Sequence, residues 1–293
     1  MRTQFYATMA ALALLSTNAT AQEIGLTGVI STDLGLQSIH YNREGSSWYV
    51  SDSQTKLFTL DAKLGIAVSP EFSIQIDAWA QSASGTVIGQ GPVRSYEYDW
   101  ETMLAGAAIH GTYHIDDFYV GGAISGGGLS YKEVGYTADR HGFATVALEA
   151  GYNAEQFRVA GQLSYTGAVT DDAKNNKSNA WVAGLEGTYY LTPDMSVTAR
   201  SIYEHETYDA GFRDLSWGVE GRYKLEDKPL ILSLSYSNRI DSFQNAGAYR
   251  ATMHSVFAGI KIPFGASSTN LRDLDRAVGL DLNPYYYGRN SIR

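Results

Sequence analysis

The chain contains no cysteine. That excludes a disulfide framework, a thiolate metal site and a lipid-modified N-terminus. Proline is scarce, with 6 in 293 residues, so little interrupts long stretches of extended chain. Long apolar runs are missing too. Ala10 to Leu15 is too short for a membrane helix, and no later stretch reaches 18 apolar residues. Positive charge is in deficit, since 22 Lys and Arg against 31 Asp and Glu leave a net charge of −9. With no basic run either, nucleic acid is not an expected partner.

What the chain has in quantity is tyrosine and glycine. There are 21 Tyr against 10 Phe and 5 Trp, with 30 Gly. Tyr with Gly and few charges suits long strands whose ends meet a membrane interface, where an amphipathic ring bridges lipid and water. A secreted β-sandwich has a similar composition, so patterning must separate the two.

Residues 1–21 read as a secretory signal. Arg2 supplies the positive end, Ala10 to Leu15 the apolar core, and Ala19-Thr20-Ala21 a small-x-small cleavage site. The mature chain is then expected to start at Gln22 and to be exported.

From Ile24 onward apolar residues fall on every second position, the period of a half-buried strand. The first strand carries Leu26, Ile30, Leu34 and Leu36, and a polar loop from Tyr41 to Lys56 follows. The second shows Phe58, Leu60, Leu64 and Ile66, with Thr59, Asp61 and Lys63 on the other parity. The third shows Ile74, Ile76, Ala78 and Ala80 opposite Gln75, Asp77, Trp79 and Gln81. A Gly/Ser-rich loop is expected over Ser82 to Tyr98. Nine more strands follow the same rule, separated by loops at Lys132 to His141, Thr170 to Asn179, Glu206 to Asp214 and Asp241 to Tyr249. Short turns alternate with these loops. They centre on Pro70, Asp116, Ala154, Pro193 and Lys228.

The pattern predicts an all-β fold: a closed antiparallel up-and-down transmembrane barrel of about 12 strands over residues 22–264. Strict alternation of short turns and longer loops is the arrangement of outer-membrane barrels. No apolar-parity residue is charged. Rings gather at two heights. Tyr113, Phe118, Tyr152, Phe157, Tyr189, Tyr223 and Phe264 lie beside the short turns, and Tyr165, Trp181, Tyr203, Trp217 and Tyr236 lie toward the loops. Two such bands are what aromatic girdles require, and a sandwich core has no reason to place them so.

The last strand, Ser255 to Phe264, alternates Val256, Ala258, Ile260, Ile262 and Phe264 with a mixed face. A strand of this length that ends on an aromatic resembles the closing strand of Gram-negative outer-membrane β-barrels. The chain as a whole resembles porin-like members of that class over the signal segment and residues 22–264, with no subfamily named by its motifs. The resemblance implies an outer-membrane location after export to the periplasm, outer-membrane lipid as surroundings, and recognition of the closing strand by the barrel-insertion machinery. Most such barrels stop at the terminal aromatic. Here residues 265–293 continue as a short C-terminal periplasmic tail. Leu271, Leu274 and Val278 have helical spacing, with Thr269 or Asn270 as a cap. A weakly ordered tail, a short amphipathic helix sealing the periplasmic mouth and a partner-binding peptide all stay open.

The other strand parity faces the lumen. It holds Asp61, Lys63, Asp77, Glu149, Arg158, Glu186, Arg200, Glu204, Glu220, Arg222 and Lys224. Signs alternate across neighbouring strands from Arg158 through Glu186 and Arg200 to Glu220 and Arg222, and opposite charges stabilise each other across a ladder. Such a ladder either lines a water channel or packs a sealed polar core. Twelve strands lie between the filled eight-stranded and open sixteen-stranded cases.

The leading expectation is a porin-like channel for passive diffusion of small hydrophilic solutes. A structural or adhesive barrel with a sealed core is the alternative. A hydrolase ranks below both: there is no G-x-S-x-G elbow, and His254 and Ser255 point to opposite faces of one strand. No catalytic residue, metal or cofactor is expected. His110 and His114 share the lumen parity, yet four residues of strand separate them by roughly 13 Å, too far for one metal. Gly126-Gly127-Gly128 lacks the Lys-Ser/Thr and helix of a phosphate loop. In a barrel, glycine there relieves crowding or lets the sheet bend.

Overall fold

The computed structural model describes residues 25–43, 52–90, 95–133, 139–168, 179–206, 213–226, 228–243, 249–265 and 270–278. Residues 1–21, read above as a secretory signal, and residues 279–293 of the tail lie outside them.

Twelve strands form one closed antiparallel sheet in up-and-down order. They are β1 (Leu26–Arg43), β2 (Asp52–Ala67), β3 (Phe72–Gln90), β4 (Ser95–Ile115), β5 (Phe118–Glu133) and β6 (Asp139–Asn153). Then come β7 (Phe157–Ala168), β8 (Asn179–Thr192), β9 (Met195–Glu206), β10 (Arg213–Lys224), β11 (Ile231–Phe243) and β12 (Tyr249–Gly265). The seam joins β1 to β12, from Thr27 opposite Gly265 to Arg43 opposite Tyr249. Closure leaves no strand edge unpaired, which matters in hydrocarbon because lipid offers no hydrogen-bond partner.

Residue parity decides which way each side chain points. Leu34, Leu36, Ile124, Leu148 and Leu234 all project outward and are exposed, Leu148 to 69%. Among the described residues no second sheet covers these rows, and the closed barrel excludes the sandwich. A continuous apolar belt of this kind around a closed barrel has hydrocarbon as its solvent.

Several stretches expected as loops are paired strand instead. Ser82 to Gln90 continues β3 and pairs with β4 as far as Gln90 opposite Ser95. Thr86 Oγ1 donates to Asp99 there at 2.6 Å. Asp52 to Lys56 belongs to β2, and the Lys132–His141 region is shortened from both sides by β5 and β6. Backbone pairing needs no apolar side chains, so the ladder runs on beyond the belt where the sequence has turned polar.

Inward-pointing rings are seated on glycines directly opposite them. Trp79 faces Gly106, Tyr119 faces Gly151, Phe143 faces Gly127 and Phe257 faces Gly35. At each of these glycines a Cβ would collide with the facing ring. Gly127 therefore makes room, as its neighbourhood in the triple-glycine run suggested.

A short helix follows the barrel, α1 (Leu271–Ala277). Asn270 caps it, its side chain accepting from the Asp273 amide at 2.8 Å. Asp273 in the first turn and Arg276 in the last complement the helix dipole.

Candidate functional site

The lumen holds a central cavity of about 130 Å³. It exists because two opposed walls carry small side chains. Ala108, Ala123 and Ala147 line one, and Ser216, Ser235 and Ser237 the other. Apolar clusters fill the lumen elsewhere, one around Trp79, Leu104 and Phe143, another around Tyr119, Val182 and Ile202.

Charged groups on the cavity wall are internally paired. Arg200 bonds Glu220 at 3.2 Å and comes within 4.0 Å of Glu186. Lys261 reaches the other Glu220 oxygen at 2.7 Å. The His110 ring sits between two carboxylates, Nδ1 at 2.6 Å from Glu149 and Nε2 at 3.1 Å from Asp77. Asp33 accepts from Thr59 at 3.1 Å. Farther along β11, Arg239 pairs with both Asp214 and Asp241. Asp61 and Lys63 also have partners. A fully paired wall avoids the desolvation penalty of an isolated charge.

Below this layer lies a smaller cavity of about 40 Å³, and α1 forms its floor. The helix blocks the barrel at the short-turn end, the periplasmic side in this class. Leu271, Leu274 and Val278 form one buried stripe against Tyr190, Ile231 and Val29. The Leu271 amide donates to the Pro193 carbonyl at 3.0 Å, and Arg276 donates to the Asn153 carbonyl at 2.9 Å. The carbonyl of Ala277 lies so close to Gly65 of β2 that no Cβ would fit there. Asp275 points into the lumen and takes a bidentate pair from Arg222, at 2.8 and 2.6 Å, plus the Tyr190 hydroxyl at 2.9 Å. Burial works to raise the Asp275 carboxyl, but Arg222, Arg158 and the Tyr190 hydroxyl together hold the group below its ordinary value. For residues 271–277 the structure shows a short helix docked in the short-turn mouth.

The charges expected in the lumen do point inward, but the ladder is broken up. Arg200, Glu220 and Glu186 stand together as expected. Arg222 instead leaves the ladder to clamp the helix, and Arg158 is buried with its guanidinium 3.4 Å from the Tyr119 hydroxyl. Glu204 faces Asp214 across β9 and β10. Lys224 lies at the mouth, 3.9 Å from Asp194. His114 bonds Ser73 at 3.1 Å, apart from the His110 group.

Sequence reasoning missed Asp33, His110 as an ionic partner, Arg239, Lys261 and Asp275. Parity alone would have placed the first four, because each alternates with an outward residue. Asp275 carried no signal, since its role depends on where the helix docks.

Of the girdle residues, Tyr113, Phe118, Phe157, Tyr189, Trp181, Tyr203, Trp217 and Tyr223 are exposed outward, and Tyr152, Tyr165 and Tyr236 are half-buried among ring neighbours. Phe264 departs from the expectation. It is only 5% exposed, because its partner across the seam is Gly28 and the ring lies down against that bare backbone.

No protein-family model matches the chain, and no curated protein matches it significantly. Solved structures do share its fold. The translocator domain of the autotransporter NalP from Neisseria meningitidis is 11% identical, with 89% of this chain and 97% of that one covered and a TM-score of 0.51. An outer-membrane channel from Pseudomonas putida F1 is 9% identical, with 81% and 96% covered and a TM-score of 0.51. At such identities the likeness is one of architecture. Together with the apolar belt it makes this chain a bacterial outer-membrane β-barrel.

Proposed function

We propose that the barrel is a channel for small hydrophilic solutes, held shut at rest by its C-terminal helix. It works by passive diffusion through the lumen and carries out no chemistry of its own. The observation that supports this most is the central cavity above the docked helix: a space of mixed lining built largely from small residues, with Arg200, Glu220 and Lys261 on its wall. A barrel that only needed to stand closed would gain more by filling that space, since voids forfeit packing energy. The helix is held by a small stripe and one ionic clamp, which suits a closure that can be released. The paired charges then set which solutes pass.

The second reading, a sealed barrel with a structural or adhesive role, draws its support from the same helix in its docked position. Conductance separates the two. Purified protein in a planar bilayer should show rare ohmic openings, and Arg200→Glu should shift the reversal potential in a salt gradient. Absence of any step, in the wild type and in variants that loosen the helix, would remove the channel reading.

A further inference from the structure

We infer that the central cavity is a binding site for a neutral, polyhydroxylated solute of sugar-like chemistry. The inference rests on the channel reading above and names its substrate class. Two properties of the wall carry it.

The first is charge balance. Among the described residues the wall holds four acidic side chains, Asp33, Asp61, Asp77 and Glu220, and four basic ones, Lys63, Arg200, Arg239 and Lys261. The whole chain has a net charge of −9, so the lumen does not simply share the acidic character of the molecule. His110 adds no unbalanced group, being seated between Asp77 and Glu149. Each charge already has a protein partner. An ionic solute would have to strip one of these groups of its partner and leave another buried and uncompensated. No sign of charge is favoured, and both are penalised.

The second property is what stands between the ions. The wall holds eight serine and threonine residues, such as Ser125, Ser235 and Ser237, and three amides, Gln37, Gln81 and Gln162. A hydroxyl both donates and accepts, and an amide offers each function at a fixed position. These groups suit a ligand that itself carries many hydroxyls and no charge. Phe257, lying on Gly35, adds an apolar face against which the C–H side of such a ring can rest. A few convergent polar groups with one apolar surface is the usual make-up of a small-molecule site.

The test is liposome swelling with the full-length protein and with Asp275→Asn, using three solutes of nearly equal size: glucose, glucosamine as the cation and gluconate as the anion. Glucose is expected to enter fastest, with both charged analogues about tenfold slower, the effect of leaving one buried polar partner unsatisfied. Ser235→Asp adds one uncompensated negative charge to the wall, and glucosamine should then overtake glucose. Equal rates for the three solutes, or a charged analogue entering first in the protein with its native wall, would overturn the assignment while leaving the channel intact. No swelling with any solute in either protein would overturn the channel reading and this one together. Quenching of tryptophan emission by glucose but not by gluconate, with Trp79 on the cavity wall, would support the binding step independently.

Discussion

Replacing Asp275 by asparagine should open the barrel. The carboxylate receives both guanidinium nitrogens of Arg222 and the Tyr190 hydroxyl, and the two charged side chains are 8% and 10% exposed. Asparagine keeps the shape and one acceptor but not the charge. Arg222 would then sit against the docked helix without its bidentate counter-charge, leaving only the more distant Glu220. Removing one member of a buried pair is destabilising by about 3–5 kcal/mol, and the retained acceptor puts this case near the lower bound. At about 1.4 kcal/mol per tenfold, the undocked fraction should rise by roughly two orders of magnitude. Single-channel recording reads this directly as open probability. The control is Arg222→Met with Asp275→Leu. A buried ion pair exchanged for apolar residues of similar size is often neutral or stabilising, so the double variant should close again. An unchanged open probability in Asp275→Asn, with the β-sheet circular dichroism also unchanged, would refute the clamp. A double variant as open as the single one would refute the idea that the lone charge drives the change.

Acid should act in the same direction. The Asp275 carboxyl is held below its ordinary value of 3.8 when docked, so its contribution is complete above that value and is lost as pH falls through the lower docked value. Openings should become frequent only below about pH 4, and Asp275→Asn should show no such rise. Gly127→Val should block assembly, because a side chain there meets the Ala105 carbonyl and the Phe143 ring; loss of the heat-modifiable band on gels reads it. Leu148→Arg places a charge between the two aromatic bands on the lipid face and should weaken folding into bilayers by about 2–4 kcal/mol. Ser235→Arg, on the cavity wall, should cost much less in a denaturant titration, and equal losses would contradict the inside-outside assignment.

The barrel was legible in the sequence because its governing signal is local. A period of two tells the lipid side from the lumen at every strand, and the turns at Pro70, Asp116 and Pro193 mark where the chain reverses. Ser82 to Gln90 was misread as a loop for the same reason. Above the belt the environment no longer demands apolar residues, so the period fades while the hydrogen bonds persist. Partner choice in the lumen was less legible. Arg222 lies on the expected face, yet whether it meets Glu220 or Asp275 depends on a helix 53 residues farther along the chain. Phe264 shows the limit from the other side, since its burial was decided by a glycine at position 28, on the far side of the seam.

The position of α1 after β12 has a consequence for biogenesis. The helix docks on Val29 of β1, Gly65 of β2, Tyr190 of β8 and Ile231 of β11, and these come round into one rim only once the first and last strands have met. The stopper cannot be fitted before the bottle is made. Each newly inserted molecule therefore passes through an interval as an unstoppered tube, and dye trapped in vesicles should leak in a brief pulse during refolding, then stop.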